Sequence, residues 1–392
     1  MVHELPFAGD NRKRFKQGTH RERHPDVTWA TIVDMLPSFG ITRVADVTGL
    51  DWLGVPVAVA VRPLSQTLAV SQGKGLSQTL ARVGAVMESV ELWHAEQFRP
   101  AEAVRGPASD LNLPYDLFGL QQRPGSLLTE RWVLDWTIAT GLLSGEPAFV
   151  PVDAVRLSFT LSERLPAMGP NGLFSSSNGL ASGNSVAEAA LHGLYELLER
   201  HIISSCGRDD IFSIDRASLC DRVAGTVLQP VILDAAVQLE VQGIRNALGI
   251  PCYRACLTTH DFPLLALGSG SHSDPSVALS RAITEAAQSR LTEIVGTRDD
   301  IDEASYRSVG ALFPSEVSDA KLILESDLAW NSAYGDEDIG QEVRSVARAV
   351  VSLTGVEPLA VTLSDPTSPI AVVKVVAPGL AYNAERTHTP QL

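Results

Sequence analysis

Residues 177–200, "SNGLASGNSVAEAALHGLYELLER", join a glycine- and serine-rich stretch to a segment with helical periodicity. Successive residues of a helix are rotated by about 100°, so the leucines of this segment share one apolar side that can pack against a core. Glu188, Glu196 and Glu199 share a different side. A solvated acidic face usually includes lysines one turn away, but Arg200 is the one Lys or Arg of this segment. The three carboxylates therefore predict a cation site.

The composition limits the class of protein. The chain has 392 residues, is 45% hydrophobic and carries a formal net charge of −15, which suits one large domain or two to three packed subdomains and argues against a nucleic-acid partner. No stretch of about 18 apolar residues is present to span a membrane, and the N-terminus lacks the apolar core of a signal peptide. The sequence predicts a cytoplasmic protein with no membrane or nucleic-acid partner.

One arrangement recurs along the chain. Residues 54–93 and 249–291 each have the pattern of a β-hairpin followed by a long helix, residues 172–201 repeat the step into a helix, and residues 355–380 repeat the hairpin. This spacing is too long for a solenoid. The pattern predicts an α+β fold in which related β-hairpin/helix subdomains pack around a shared centre.

Two stretches differ from this repeat. Residues 99–125 contain proline and glycine, and residues 299–340 are rich in Asp, Glu and Ser. Such composition is typical of loops. We therefore expect both stretches to be surface excursions from the repeated subdomains.

The other two long helices also carry polar faces. Glu88 and Glu91 lie at i,i+3 in the first, and Arg281, Glu285 and Gln288 lie within an arc of about 100° in the third. Magnesium prefers hard oxygen ligands and often shares them between carboxylates and phosphates. Three acidic helices favour a shared magnesium site over three unrelated solvated faces.

The segments "SQGKG" (71–75) and "SNGLASGNS" (177–185) precede two of these helices. We interpret both as loops that expose backbone N–H groups at a helix N-terminus, where anions bind favourably. Lys74 does not belong to a phosphate loop of the Walker type, because the required spacing is absent. Together with the acidic faces, these loops predict a site for phosphates bridged by Mg²⁺.

Isolated histidines and cysteines are interpreted as structural. His192 shares the acidic face and His272 lies in "GSGSHSDP", but a single histidine is more often hydrogen-bonded in a core than catalytic. Cys252 and Cys256 lie on one face of a predicted strand without further ligands at zinc spacing. None of the four enters the predicted site.

Residues 177–200 resemble, position for position, the signature of the YcaO family, S-N-G-x-A-x-G-x-[ST]-x-x-E-A-x-x-x-x-x-x-E-x-x-E-R. Residues 71–96 are similar to the first ATP-binding helix of that family, residues 278–300 to its third, and residues 372–380 to its closing strand. The resemblance implies a YcaO fold around a central ATP and magnesium site. The YcaO domain is expected at 17–382, between an N-terminal tail (1–16) and a C-terminal tail (383–392).

The resemblance also implies site residues, carried over from the matching positions. The implied cofactors are ATP and Mg²⁺. The Mg²⁺ ligands would be the acidic residues of the three helices, namely Glu88, Glu91, Glu188, Glu196, Glu199 and Glu285. The residues near the nucleotide would be Arg21, Thr28, Lys74, Ser185, Glu188, Arg200, Arg281 and Gln288.

The activity that the resemblance implies is ATP-dependent activation of a peptide backbone amide by phosphorylation of its oxygen. The nucleophile decides the product: a side chain gives an azoline, sulfide a thioamide and an amine an amidine. Phosphoryl transfer relies mainly on positioning and charge neutralisation, which a carboxylate-bound metal supplies. The implied substrate is a precursor peptide or protein, and a homodimer is expected from the family.

The reaction subtype that we expect depends on the segments before and after the YcaO domain. The chain ends in "ERTHTPQL" rather than the P-x-P-x-P terminus of many azoline-forming members, and it shows no leader-binding segment before the YcaO pattern. We therefore expect thioamide formation with a TfuA-like or leader-binding partner protein. Azoline-forming cyclodehydration and macroamidine formation in the biosynthesis of ribosomally made peptides are alternatives. A further alternative, from another class, is a nucleotide-binding accessory protein for ribosomal-protein thiolation.

Overall fold

The structure is a computed structural model that describes residue 7 and residues 10–123, 125–157, 172–262, 264–296 and 321–381. The strands are β1 Arg43–Asp46, β2 Val57–Val61, β3 Val70–Lys74, β4 Val104–Pro107, β5 Val133–Gly141, β6 Pro147–Pro151, β7 Leu180–Gly183, β8 Ile211–Ile214, β9 Val237–Ile244, β10 Cys252–Thr259, β11 Ala266–Ser271, β12 Lys321–Ile323, β13 Leu359–Thr362 and β14 Ala371–Val376. The helices are α1 Pro25–Ile32, α2 Gln78–Gln97, α3 Val186–Ser205, α4 Arg216–Arg222, α5 Leu228–Leu233, α6 Pro275–Val295 and α7 Ile339–Thr354. Within these residues, no helix is long and apolar enough to cross a membrane.

The first subdomain is an antiparallel sheet in the order β1-β2-β3, with α2 packed against β2 and β3. A side chain at Gly73 would place its Cβ 2.1 Å from the carbonyl oxygen of Ala81 and 2.1 Å from the backbone nitrogen of Ala85. Glycine at this position therefore allows the helix to lie directly on the strand. The hairpin and helix predicted for residues 54–93 are confirmed.

The second subdomain repeats this arrangement. Its sheet has the order β11-β10-β9-β8-β12, and α6 packs against β11 and β10. A Cβ at Gly268 would lie 2.2 Å from the carbonyl oxygen of Ala282, so the same close approach of helix and strand occurs here. The hairpin and helix predicted for residues 249–291 are confirmed, and Cys252 and Cys256 are buried in β10.

The third subdomain is a sheet in the order β4-β5-β13-β14-β7, with β6 paired to β5. Helix α3 packs on β7 and β14 with one side and on α7 with another. Its leucines are buried between these layers, as the apolar side of the sequence predicts. Helix α3 is thus the central element of the molecule, and its acidic face is turned towards the other two subdomains.

The predicted surface excursion at residues 99–125 is wrong in part: residues 101–105 are exposed, but later residues of the stretch pack into the core. Part of this stretch forms β4 and pairs with β5, and Tyr115, Leu117 and Leu120 are buried in a core cluster with Trp136. Apolar residues between the prolines outweigh the loop-like composition, because burying them stabilises the stretch. Of the other predicted excursion, residues 299–320 lie outside the described residues.

Residues before the predicted domain boundary pack against the body. The Lys13 ammonium contacts the buried Glu342 carboxylate, Phe15 is buried, and Arg12 forms a β-bridge with Asp338. Residue 382 and the residues after it lie outside the described residues. The boundaries at residues 17 and 382 stay predictions.

Candidate functional site

The acidic side of α3 is buried within the protein. Glu188 and Glu199 are each 3% exposed, which excludes a solvated charged face. The Ser269 hydroxyl of β11 donates a hydrogen bond to Glu199 Oε1 at 2.6 Å, and the Ser182 hydroxyl of β7 donates to Glu91 Oε1 at 2.5 Å. The sheets of the second and third subdomains therefore both donate hydrogen bonds to carboxylates of α2 and α3.

The N-terminus of α3 binds the N-terminal segment of the chain. The Ser185 hydroxyl caps the helix by accepting from the Glu188 backbone N–H at 3.1 Å. The Glu188 carboxylate accepts from the backbone N–H of Glu22 at 2.8 Å and lies 3.4 Å from Arg21 Nη1. Asn184 donates its side-chain amide to the same carboxylate at 3.0 Å.

Cations alternate with the acids across the centre. Lys74 Nζ donates to Glu285 Oε2 at 2.7 Å, which joins β3 to α6. The Arg200 guanidinium interacts electrostatically with Glu199, Glu196 and Glu285, and its Nε–H has no hydrogen-bond partner among the described residues. A buried guanidinium N–H without a partner is costly, and an oxygen of a bound phosphate would satisfy it.

Two central carboxyl groups, those of Glu91 and Glu196, have raised pKa values. The pKa of Glu91 is raised to about 8, first by burial; the hydrogen bond from Ser182 opposes the shift, and the nearby charges of Glu88 and Glu196 contribute to it. The pKa of Glu196 is raised to about 7, again first by burial; Arg200 opposes this shift and Glu199 contributes to it. Perturbed carboxylates of this kind are typical of binding and catalytic sites.

These residues fit Mg²⁺ and a nucleotide by their chemistry. Oxygen donors that repel one another gain from a divalent cation, and the cations between them suit phosphates. Among the described residues, however, no group of three or more Asp, Glu, His or Cys side chains is gathered closely enough to hold a metal by itself. The geometry therefore suits metal ions shared between carboxylates and phosphates better than a metal held by protein ligands alone.

Parts of the two predicted phosphate loops are strands. Residues 70–74 form β3, and residues 180–183 form β7. Gly73 serves the contact between strand and helix rather than a turn, because its missing side chain makes room for α2. The interpretation as loops is wrong for residues 71–74 and 180–183, because glycine in a β-strand gives the same local pattern as glycine in a turn. It holds for residues 177–179 and 184–185, which are turn, bend or irregular backbone before α3.

The structure brings nearly all predicted site residues into this one region. Arg21, Glu188 and Ser185 meet at the start of α3; Lys74 pairs with Glu285; Glu88 accepts from the Gln72 backbone N–H at 2.6 Å. Thr28 reaches the region through the Asn184 side chain, at 2.9 Å, and Arg281 interacts electrostatically with Glu196. Gln288 lies one turn after Glu285 on α6, with its backbone carbonyl accepting from Thr292.

Sequence reasoning missed several residues of the region. Glu22 accepts a short hydrogen bond from Ser185, and burial raises its pKa. Lys374 is 3% exposed, donates to the backbone carbonyl of Asn178 at 2.8 Å, and its pKa is lowered to about 8 by burial. A lone lysine inside the apolar strand "AVVKVV" was a usable signal for a buried polar role, whereas no local pattern marks Glu22.

A small cavity adjoins the start of α3. It is lined by two histidines interpreted from the sequence as structural, by a third from the N-terminal segment, and by predicted nucleotide-binding residues. The polar residues that line it are Thr19, His20, Arg21, Glu188, His192, Tyr195, His272 and Arg281. His192 and His272 therefore lie in the site region, but both are largely buried and hydrogen-bonded, as the structural interpretation from the sequence expects. Spacing along the chain could not show that they line one cavity, because the three histidines come from different segments.

Comparison with known proteins identifies the fold and the family. The family model "YcaO cyclodehydratase", described as ATP- and Mg²⁺-binding, matches residues 72–381. The chain belongs to the YcaO family. The resemblance found in the sequence is thereby confirmed, and the chain is a member of an ATP-dependent, cyclodehydratase-type family.

Two relatives match over most of the chain. A protein of Mycobacterium tuberculosis is 41% identical over 378 residues, which cover 94% of this chain and 84% of that protein. A protein in the tfuA 3′ region of Rhizobium leguminosarum bv. trifolii is 34% identical over 378 residues, covering 91% of this chain and 87% of that protein. Both matches extend well beyond the signature segment.

Solved structures share the fold at low sequence identity. A YcaO protein from Methanopyrus kandleri bound with AMPPCP and Mg²⁺ matches with a TM-score of 0.68 at 22% identity, over 95% of both chains. A heterocyclase in complex with substrate and cofactor matches with a TM-score of 0.74 at 18% identity, over 97% of this chain. This chain spans 55% of that heterocyclase chain. The α+β YcaO fold predicted from the sequence is confirmed.

Proposed function

We propose that this YcaO protein uses ATP and Mg²⁺ to activate a peptide backbone amide by phosphorylation of its oxygen, and that sulfide then converts the amide to a thioamide. The observation that supports amide activation is the convergence of buried and half-buried carboxylates of α2, α3 and α6 with cations of β3, α3 and α6. The family description as ATP- and Mg²⁺-binding agrees with this chemistry.

In this proposal the carboxylates of the site bind Mg²⁺, and its basic side chains bind the phosphates of ATP. The carboxylates that would hold Mg²⁺ are Glu88, Glu91, Glu188, Glu196, Glu199 and Glu285. Lys74, Arg200, Arg281 and Arg21 would contact phosphate oxygens, with Ser185, Thr28 and Gln288 at the nucleotide. Bound Mg²⁺ would neutralise charge on the phosphates, and binding would relieve the repulsion among Glu91, Glu88 and Glu196.

The protein's own residues hold these groups in place. Ser269 and Ser182 fix Glu199 and Glu91, and the Glu22 backbone and Asn184 fix Glu188. Because these hydrogen bonds come from β11, from β7 and from the N-terminal segment, the relative placement of these elements sets the spacing of the carboxylates. Such preorganisation stabilises developing charge in phosphoryl transfer.

The choice of sulfide and of a TfuA-like partner is supported by a relative. The R. leguminosarum protein in the tfuA 3′ region matches over 91% of this chain, so the two proteins share nearly the whole domain. In the proposed reaction the partner delivers the peptide or the sulfur, and the reaction takes place in the cytoplasm, where ATP is available. Azoline formation is the second candidate, because a heterocyclase shares the fold.

Mass spectrometry tests the proposal. The purified protein is incubated with a precursor peptide encoded beside its gene, MgATP and sulfide, with and without the partner. Exchange of oxygen for sulfur adds about 16 Da, and loss of water removes about 18 Da. A gain that requires ATP and sulfide is expected.

Other results of this experiment would revise the proposal. Loss of water without a need for sulfide would replace thioamide formation by azoline or amidine formation. ATP binding with an unchanged peptide mass would contradict amide activation and favour the accessory role in ribosomal-protein thiolation. Glu337→Gln is the control for glutamate-to-glutamine substitutions within the site. Glu337 is exposed, and its side chain pairs with Lys16 rather than with a predicted site residue.

A further inference from the structure

The cavity beside α3 joins three histidines to the candidate nucleotide site. His20, His192 and His272 line it together with Arg21 and Arg281, both assigned above to the nucleotide. His20 and His272 stand edge to face with their ring centroids 4.7 Å apart. The cavity volume is about 20 Å³, which is room for a group of about the size of a water molecule. Such a group would lie next to the phosphates.

Two of the three histidines already use their Nδ1 lone pair. Arg21 Nη2 lies 3.2 Å from Nδ1 of His192, and because a guanidinium donates only, this nitrogen is the acceptor. Nδ1 of His272 accepts the backbone N–H of Asp274 at 3.0 Å. Burial lowers the pKa of both imidazoles well below the usual value, so both stay neutral.

His20 differs from the other two. Its Nε2 lies 3.5 Å from Oδ2 of Asp274, whereas its Nδ1 is buried with no hydrogen-bond partner among the described residues. The Asp274 carboxylate is itself fixed, because Oδ1 accepts the Ser276 backbone N–H at 2.8 Å at the start of α6. A carboxylate that faces Nε2 holds the proton there and leaves the Nδ1 lone pair available.

The geometry points to His20 as the general base of the reaction, with Nδ1 as the proton acceptor and Asp274 as the residue that orients the ring. This inference rests on the proposed function and adds the group that removes the proton. His20 is the cavity histidine that combines an available nitrogen with an orienting carboxylate. It lies next to Arg21 in the chain, so the N-terminal segment would supply both the base and a contact to phosphate.

The proton transfer balances as follows. Hydrosulfide attacks the amide carbon, and the C=O π pair moves onto the oxygen. This oxygen then attacks the terminal phosphorus of ATP, and the P–O bond to ADP breaks with its electron pair leaving on ADP. When the C–O bond breaks, its electron pair leaves with phosphate, the S–H proton passes to His20 Nδ1, and the S–H pair becomes the second C–S bond. The imidazolium then returns the proton to the departing phosphate.

Asp274 serves this step by position. Its pKa is lowered to about 2, first by the contact with His20, so it stays ionised and stabilises the imidazolium that forms. Since it touches the ring and not the cavity, we class it as a positioning residue. Asp274→Asn is expected to lower kcat by about 10- to 100-fold, a smaller loss than that of the base itself.

His20→Gln separates the catalytic role from a structural one. The glutamine amide can donate to Asp274 as Nε2 does, but it offers no basic nitrogen at the place of Nδ1. We expect kcat to fall by about 10²- to 10⁴-fold with little change in KM for ATP or peptide. His260→Gln is the control, because His260 is exposed and should leave both constants unchanged.

Chemical rescue and spectroscopy complete the test. Free imidazole should restore part of the activity of His20→Ala, and ¹⁵N-histidine NMR of the wild type should show His20 protonated at Nε2 and not at Nδ1. Wild-type kcat in His20→Gln, absence of rescue in a folded His20→Ala, or a proton on Nδ1 would overturn the role of His20. An inactive wild type would instead contradict the proposed function, so the two failures are distinguishable.

Discussion

Two sets of buried glutamates differ in how completely they are paired. Glu96 accepts two hydrogen bonds from Arg62, at 2.6 and 2.7 Å, and further bonds from Ser65 and Thr67. Burial alone would raise its pKa, but these partners outweigh burial and hold it below the usual value. Glu91, in contrast, lies near other acids, and its pKa is raised to about 8.

Glu342 of α7 belongs with Glu96. It is fully buried, contacts the Lys13 ammonium, and accepts hydroxyl hydrogen bonds from Tyr195 at 2.6 Å and Ser273 at 2.7 Å. Both glutamates connect distant parts of the chain and are satisfied within the protein. The comparison teaches that a buried acid with a full set of donors stabilises the fold, whereas repelling buried acids indicate a place for a ligand.

The largest expected effect is on stability and comes from removing one partner of the buried Arg62–Glu96 ion pair. Arg62→Met should lower the free energy of unfolding by about 3–5 kcal/mol, because Glu96 is left as a buried charge without its partner. Arg105→Met is the matched control: its ion pair with Asp135 is exposed and spans 3.4 Å, and should contribute less than about 1 kcal/mol. Urea unfolding followed by circular dichroism measures both. Equal losses in the two variants would refute the distinction between the sets.

The second-largest expected effect concerns the glutamates that lie near other acids in the site, among them Glu91, Glu196 and Glu199. Glu199→Gln keeps the size of the side chain but removes a charge proposed to hold Mg²⁺, so ATP turnover should fall by about 100-fold or more in a folded protein. Phosphate release assays with the peptide substrate measure this. Turnover at the wild-type rate would remove Glu199 from the metal site.

Ligand binding checks the same variant without turnover. MgATP at about 100 times its Kd should raise the free energy of unfolding of the wild type by about 2.7 kcal/mol, and Glu199→Gln should gain less. Calorimetry with and without MgATP gives both values. An equal gain would mean that Glu199 does not contribute to binding.

The smallest effect is the pH dependence of the ligand-free protein. Unfolded Glu91 loses its proton near its ordinary pKa of 4.5, whereas the folded protein keeps it up to about pH 8. Over that window the folded state binds more protons, so the stability contributed by this group decreases as pH rises. Glu91→Gln should reduce the slope of stability against pH by at most about 1.4 kcal/mol per pH unit.

A surface substitution controls for the pH experiment. Glu102→Gln removes an exposed carboxylate and should leave the slope unchanged. Denaturant titrations at several pH values between 5 and 8 measure the slopes. If Glu91→Gln follows the wild type at every pH, Glu91 does not carry a buried proton.

Much of the site was predictable because its residues recur at helical spacing. The i,i+3 pair Glu88 and Glu91 and the acidic side of α3 follow from the rotation per residue, and the family signature adds the nucleotide-binding positions. Glu22 and His20 were not predictable in this way. They reach the site through the packing of the N-terminal segment against α3 and α6, and no local periodicity records that contact.

By itself, the sequence determined the two hairpin/helix units at residues 54–93 and 249–291, the apolar side of α3 and the acids on its other side, because these depend on the short periods of helices and strands. Only the tertiary structure decided which acids are paired. Glu96 and Glu91 lie on the same helix and are both chemically glutamates, yet one meets Arg62 and the other meets Glu196. That difference arises from contacts between segments far apart in the chain, since the electrostatics of a buried carboxylate depends on its neighbours in space.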